Sequence, residues 1–451
     1  MSFAATTSEI AHIVGAAVPA VDVHCSGVST DTRTLQPGSV FVGLNGERYR
    51  GADFVAAAAS AGAAAAVTDS PADVALPQLQ VADPLTALQK LAKHWRSTVA
   101  PVVVGITGSN GKTTMRSMVA ACLGAHTHAT EGNLNNHIGV PLTLLRLSVT
   151  HRFAVVEMGA NHIGEIAALT SLARPDIGIV TNAGPAHLEG FGSLDGVAAG
   201  KGEMFAALDA RGVAVMNRDD PYYPAWCEMA GAAAPLTFGA HDAADVRFSH
   251  VIEGNESQGV SLALTYSGQT WPVTLQLSGA HNAANAAGAA ACALAAGIAM
   301  EDIVARLATV IAEPGRQRRR RGAHGGLVID DSYNANPASM LAAARTVAAT
   351  GERGWMVIGD MGELGAEAPA LHAALGRDIR AAGVERLFCL GALSQHAAQG
   401  FGHGAQHFDS LEVLIETLTH ALLPEIAVLI KGSRSMRMER VTAALAVEGE
   451  H

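Results

Sequence analysis

From residue 101 onward, short runs of consecutive apolar residues recur along the chain, each bounded by glycine, proline or a polar residue. Pro101-Val-Val-Val-Gly-Ile, Phe153-Ala-Val-Val-Glu157, Asp176-Ile-Gly-Ile-Val-Thr-Asn182 and Gly212-Val-Ala-Val-Met-Asn217 are of this kind. Such runs read as strands buried on both faces, and the segments between them as helices. This alternation predicts a parallel sheet with right-handed crossovers. Residues 246–277 differ, because segments such as Val260-Ser-Leu-Ala-Leu-Thr alternate apolar with polar and predict a small antiparallel patch. His281-Asn282-Ala-Ala-Asn285-Ala then opens a long helix. Pro314-Gly315 marks a boundary, beyond which Leu327–Asp330, Trp355–Asp360, Leu387–Gly391 and Ala427–Lys431 read as four buried strands with helices between them. Ahead of residue 84 lie short strands and turns and the alanine-rich helix Asp53–Ser60, and a helix near Leu85–Ser97 leads onward. The expected fold class is therefore α/β in three domains. Residues 1–84 form a small mixed α/β domain, 85–313 a central domain with a mainly parallel sheet, and 314–451 a Rossmann-like domain. No repeat of fixed period is visible.

Composition narrows this picture. A chain of 451 residues is long for one core and suits about three domains. Hydrophobic residues make up 49% but aromatics only 4%, with 48 glycines, so helices can sit close on a sheet. No run of about 18 strongly apolar residues is uninterrupted, and no basic region precedes an apolar core at the start. Neither a membrane span nor a signal peptide is expected. The five cysteines are scattered and lack CxxC spacing, which argues against disulfides and zinc and for a cytosolic protein, expected to be a monomer. A formal net charge of −11 disfavours broad nucleic-acid binding. Against that balance, Arg316-Gln-Arg318-Arg319-Arg320-Arg321 reads either as a solvated basic strand or hinge or as a site for an anionic substrate.

Candidate chemistry centres on Gly105-Ile-Thr-Gly108-Ser109-Asn110-Gly111-Lys112-Thr113-Thr114, between a buried strand and a helix start. Glycines let backbone N–H groups converge on phosphates, and the helix N-terminus adds partial positive charge. Lys112 is expected against the β/γ-phosphates of ATP and Thr113 on magnesium. The strict pattern is not met, since its first glycine lies one residue early and Ile106 fills the slot. Glu157, Asn182 and His187 fall at strand carboxyl ends, where ligands gather in such sheets. Thr113, Glu157 and His187 could converge on magnesium. Glu157 could equally be a structural acid, and His187 is the odd member because magnesium prefers oxygen. Lys201 by default is a solvated ammonium.

These residues carry a resemblance. Thr107–Thr114, Glu131-Gly-Asn-Leu-Asn135-Asn136-His-Ile-Gly-Val-Pro, Glu157-Met-Gly-Ala, Ala186-His187-Leu-Glu and Lys201-Gly-Glu are similar to stretches of the Mur ligase family. So are His281-Asn282-Ala-Ala-Asn285-Ala, Asp330-Asp331-Ser-Tyr333-Asn334-Ala-Asn336-Pro337 and Lys431-Gly-Ser433-Arg434-Ser. With Asp31-Thr-Arg33 they cover nearly the whole chain in order. The resemblance implies a UDP-binding N-terminal domain, an ATPase domain and a C-terminal domain that brings an amine. ATP would phosphorylate a carboxylate, and the amine would attack the acyl phosphate. Lys201 matches a lysine that becomes a magnesium-binding carbamate, implying two magnesium ions. Asn282 and Asn285 match positions near the adenine, with helix capping as their plainer alternative. Arg316 and Asp331 match residues reaching the ATP, although Asp330 or Asp331 could be an ordinary strand-end acid. Asn334, Asn336, Lys431, Ser433 and Arg434 match the side of the incoming dipeptide, Asp31 and Arg33 the UDP loop, and Asn135 and Asn136 the muramoyl side.

Within the family, the Asp-Asp-Ser-Tyr-Asn-Ala-Asn-Pro, Gly359-Asp-Met-Gly-Glu-Leu-Gly and Lys-Gly-Ser-Arg stretches look most like the member that joins D-alanyl-D-alanine to UDP-N-acetylmuramoyl-tripeptide. The member adding the third amino acid is the alternative, but the Asp-Asn-Pro-Arg signature of its diaminopimelate-binding forms is absent. Folylpolyglutamate synthases lack the N-terminal UDP domain, and a nucleotide-dependent binding or transport module needs no such loops in a separate domain. Two departures stand out. Gly200 replaces a usual alanine before the lysine, and the Arg318–Arg321 run replaces a more mixed segment.

Overall fold

The computed structural model of the chain describes residues 3–253, 259–323, 325–350 and 352–447. Among these the strands form four sheets. At the N-terminal end β1 (Ala4–Thr6) pairs antiparallel with β2 (His24–Ser26). A four-stranded parallel sheet follows, with β3 (Val28–Ser29), β4 (Val40–Val42), β5 (Ala65–Thr68) and β6 (Gln78–Gln80) in spatial order. The helix Pro84–Val99 starts where Asp83 accepts the N–H groups of Leu85 and Thr86, with proline at its first turn. It buries Leu88, Leu91 and Trp95 in a core shared by the four-stranded sheet and one face of the next. The Trp95 indole donates to the Leu147 carbonyl at 2.9 Å, tying the two together.

The large sheet comprises β7 (Val102–Thr107), β8 (Thr127–Ala129), β9 (Phe153–Glu157), β10 (Ile177–Val180), β11 (Val213–Asn217), β12 (Ala234–Gly239), β13 (Val246–Glu253), β14 (Val260–Tyr266) and β15 (Gln269–Leu275). Its order is β15-β14-β13-β12-β11-β10-β7-β9-β8, parallel from β8 to β13 and antiparallel from β13 to β15. The expected antiparallel patch is thus a continuation of the parallel sheet. The alternating burial of β14 explains its alternating sequence. Helix His281–Ala295, two-thirds alanine and glycine, packs against helix Lys112–Leu123. A Cβ on Gly288 would come within 2.7 Å of the Met115 methyl, so small residues here set how closely the helices approach.

The last sheet contains β16 (Arg318–Arg321), β17 (Leu327–Asp331), β18 (Arg353–Gly359), β19 (Arg386–Leu390), β20 (Ala405–Phe408) and β21 (Ile426–Lys431), in the order β16-β17-β21-β18-β19-β20. The four expected strands are its inner members, parallel and covered on both faces. The arginine run is an antiparallel edge strand on β17, where charged side chains discourage pairing with another chain. Arg319 turns back to the large-sheet unit, donating to Ser278 Oγ at 2.7 Å. Among the described residues no helix is long and apolar enough to cross a membrane.

Candidate active site

The carboxyl end of β7 runs into the glycine-rich loop, and its glycines are required by space as well as by φ. Gly108 sits at φ +143°, where a Cβ would lie 1.9 Å from Thr181 Oγ1. Gly111 caps helix Lys112–Leu123 at φ +79°, its Cβ direction 2.8 Å from Asn285 Oδ1. The neighbouring strand end locks the loop in place. Ser109 N–H donates to the Asn182 carbonyl (3.0 Å), Ser109 Oγ to Gly184 O (2.9 Å), Asn110 N–H to Asn182 Oδ1 (3.1 Å), and Thr181 Oγ1 to Asn110 O (2.6 Å). Lys112 Nζ folds onto the Gly108 carbonyl at 2.6 Å, and desolvation draws its pKa below the ordinary lysine value.

Glu157, at the end of β9, is buried. Its Oε1 accepts from Asn135 Nδ2 at 2.9 Å, whereas Oε2 is buried with no hydrogen-bond donor and has only the Arg116 guanidinium at 3.6 Å. Arg116 is itself buried and also bonds the Gly132 carbonyl (3.1 Å) and Glu313 Oε1 (3.0 Å), just ahead of Pro314-Gly315. Lys201, on helix Leu194–Ala206, is 1% exposed. Its Nζ donates to the Ala160 carbonyl at 3.0 Å and lies 4.9 Å over the Phe191 ring. Burial first, and the charge of Lys112 second, lower its pKa to about 7. The amine is therefore far less disposed to carry a proton than a solvated ammonium. His187 sits at φ +55° after β10 and hydrogen-bonds through Nδ1 to Glu363, on the loop following β18. That bond holds the Glu363 carboxyl below the ordinary range.

From the last sheet, Lys431 Nζ bonds Asp331 Oδ2 (2.8 Å) and the Asn334 carbonyl (2.8 Å). Burial raises the Asp331 pKa, opposed by Lys431. Arg316 stacks over the Tyr333 ring at 4.2 Å, and Arg434 lies 5.9 Å from the same ring. Asn336 is the N-cap of helix Pro337–Ala348, accepting from Ser339 N–H, and its Nδ2 donates to Asn110 Oδ1 at 2.7 Å across the units. Asn282 and Asn285 do not cap their helix, whose N-cap is Ala280. Asn282 Nδ2 bonds Ser278 O (2.6 Å), and its Oδ1 accepts from Asn285 (2.9 Å).

One cavity of about 760 Å³ lies between these units. Ser109, Asn110, Gly111, Lys112 and Thr114 line it, as do Asn135, Asn136, Glu157, His187, Asn282 and Asn285. From the other side come Arg316, Asp331, Asn334, Asn336 and Lys431. Gly108, Thr113 and Lys201 are off the lining, Lys201 bonding the carbonyl of Ala160, which does line it. Ser433 and Arg434 are off the lining, Ser433 Oγ being 3.1 Å from Ser435 Oγ and Arg434 paired with Glu439 at 3.3 Å. Asp31 and Arg33 pair with each other at 2.6 Å on an exposed loop after β3, also off the lining. Sequence reasoning missed Arg116, Glu313, Gln317 and Glu363. Gln317 lines the cavity at φ +56° with a buried Oε1 lacking a hydrogen-bond partner. The sequence signal for Glu363 is its place among three glycines at a strand end. Arg116 has no comparable signal within its helix.

Three family models match the chain in order. They are the Mur ligase family catalytic domain over residues 24–96, the Mur ligase middle domain over 106–293, and the Mur ligase glutamate ligase domain over 315–434. UDP-N-acetylmuramoyl-tripeptide–D-alanyl-D-alanine ligase of Escherichia coli (strain K12) is 42% identical over 448 residues, covering 98% of this chain and 99% of the relative. The crystal structure of MurF from Acinetobacter baumannii superposes with a TM-score of 0.90 at 33% identity, covering 98% of each chain. That of MurF ligase from Thermotoga maritima in complex with ADP gives 0.83 at 26% identity, covering 93% of this chain and 96% of the other. With identity this high over nearly its entire length, the protein belongs to the Mur ligase family.

Proposed function

We propose that the protein is an ATP-dependent amide ligase acting in peptidoglycan precursor synthesis. It joins D-alanyl-D-alanine to UDP-N-acetylmuramoyl-tripeptide, giving UDP-N-acetylmuramoyl-pentapeptide, ADP and phosphate. The relative of that name, 42% identical over 98% of the chain, supports the substrates. The geometric support is a single cavity lined at once by the glycine-rich loop, by Glu157 and by Asp331, Asn334 and Lys431 from the other sheet. In this reading residues 1–84 bind the UDP portion through Asp31 and Arg33, 85–313 bind ATP, and 314–451 present the dipeptide through Asn334, Asn336, Lys431, Ser433 and Arg434. The enzyme acts as a cytoplasmic monomer.

A carboxylate is a poor electrophile, so its oxygen first attacks the γ-phosphorus of ATP and ADP departs. The dipeptide nitrogen then attacks the carbonyl carbon, phosphate leaves, and the nitrogen loses a proton. Lys112 and the loop N–H groups offset charge on the polyphosphate. Asn282 and Asn285 face the adenine, and Arg316 reaches the phosphates from the second unit. Asn135 and Asn136 orient the muramoyl side, with Asn135 also holding Glu157 through its 2.9 Å bond. Docking of the two units brings carboxylate and amine together and excludes water from the acyl phosphate.

The donor set fits a hard cation. Glu157 Oε2 is buried with no donor, and Thr113 in the first turn of its helix carries a hydroxyl. Lys201 adds oxygens if its neutral amine attacks carbon dioxide, forming the N–C bond of a carbamate and releasing one proton. Thr113, Glu157, His187 and carbamylated Lys201 would thus hold magnesium, two ions by the family pattern, whose chemistry is to neutralise phosphate charge.

The test is phosphate release from ATP with UDP-muramoyl-tripeptide, with and without D-alanyl-D-alanine, and the product mass. Release dependent on both substrates with the pentapeptide mass is expected. Turnover only with substrates of third-residue addition would defeat this assignment.

A further inference from the structure

His187 and Glu363 are 176 positions apart and belong to different sheet units, yet they hydrogen-bond through Nδ1. Both stand on left-handed backbone, His187 at φ +55° and Glu363 at φ +59°. Among the described residues only eight non-glycine residues have positive φ, and this bond joins two of them. Such a conformation is strained for a residue with a Cβ and persists where the surroundings over-determine it, typically at functional sites.

The loop bearing Glu363 is so determined. The Asp360 carboxylate accepts the N–H groups of Leu393 (3.1 Å) and Ser394 (2.7 Å), and its carbonyl accepts Ser433 N–H (3.0 Å). Met361 N–H donates to Nε2 of the fully buried His372 (3.0 Å), whose Nδ1 bonds the Ala368 carbonyl (2.7 Å). Four bonds therefore aim one exposed carboxylate across the cleft. A second bond between the units lines the same cavity, from Asn336 to Asn110 of the glycine-rich loop.

An ionised carboxylate only accepts, so a neutral imidazole bonded to it must carry its proton on Nδ1, leaving the Nε2 lone pair available. We infer that Glu363 is a positioning residue that fixes His187 in the Nδ1–H tautomer from the opposite unit, readying Nε2 for a cation in the cavity only when the units are docked. Carboxylate partners of this kind orient metal-ligating histidines generally. The inference rests on the reading of His187 as a ligand, made above.

The test uses full-length ¹⁵N-labelled protein, with His187→Gln identifying the imidazole signals. The Nδ1–H tautomer is expected in the parent and in Glu363→Gln, whose amide oxygen still accepts, and a shift toward Nε2–H in Glu363→Ala. In parallel, Mn²⁺ binding in the presence of ADP, followed by paramagnetic resonance, should weaken about 10–100-fold in both Glu363→Ala and His187→Ala. An unchanged tautomer in Glu363→Ala overturns the inference. So does weakened Mn²⁺ binding in His187→Ala but not in Glu363→Ala. If neither substitution affects Mn²⁺, the ligand reading of His187 falls and takes the inference with it.

Discussion

At the scale of single residues, Lys201 has the most unusual environment. A buried amine with one carbonyl acceptor and a pKa of about 7 is roughly half neutral at pH 7, whereas an ordinary lysine is well under about 1% neutral. Carbamate formation needs the neutral amine, so incorporation of ¹³C from bicarbonate should rise as pH passes through about 7 and vanish in Lys201→Arg. Lys201→Ala should lower turnover by roughly 100-fold or more, partly restored by short-chain carboxylic acids. Stability follows the same group in buffer free of carbon dioxide. The folded pKa is depressed, so the unfolded chain holds more protons between about 7 and 10.5, and stability rises with pH across that window. Lys201→Met should flatten the rise in denaturant midpoints. Arg116 is a second case. Arg116→Met leaves buried Glu157 without its cation and should cost about 3–5 kcal/mol by chemical denaturation, with Arg116→Lys costing less.

At the scale of elements, the strand-to-helix turn at Gly108 is set by its approach to β10. A Cβ there meets Thr181 Oγ1 at 1.9 Å, so Gly108→Ala must displace the loop that Thr181 and Asn182 lock. We expect nucleotide affinity to fall about 10-fold or more by calorimetry while the helix signal in circular dichroism is kept, since the substitution lies outside every helix. The same element was legible from sequence because burial writes itself into composition. β7, β9 and β21 are apolar up to their last residue, so their positions follow from the pattern alone. Edge strands carry no such mark. Arg318–Arg321 pairs on one side only and takes charge, and Ala405–Phe408 is short and half exposed, so neither has the hydrophobic run that identifies a buried strand. The site divides likewise. The loop and Glu157 stand at signalled positions and Lys201 is marked only by the family resemblance, whereas Arg116 and Glu363 gain meaning only from partners 41 to 197 positions distant in chain, at Glu157, Glu313 and His187.

For the whole molecule, the two units meet across the cavity through Asn336–Asn110 and Glu363–His187. If docking excludes water from the acyl phosphate, then loosening it should change the fate of that intermediate more than its formation. Asn336→Ala removes a helix cap as well as a bridge and should cost about 1 kcal/mol of stability on its own. The exposed Glu363 side chain leaves the fold intact when shortened. The double variant Asn336→Ala, Glu363→Ala should therefore fold, yet at magnesium concentrations that saturate it release phosphate in excess of pentapeptide, because water competes with the dipeptide amine for the activated carbonyl. The ratio of phosphate to pentapeptide, near one in the parent, is expected to rise several-fold and to fall again as D-alanyl-D-alanine is raised. A ratio that stays near one while turnover drops would mean that these bonds assist phosphorylation itself, placing the role of docking before the acyl phosphate rather than after it.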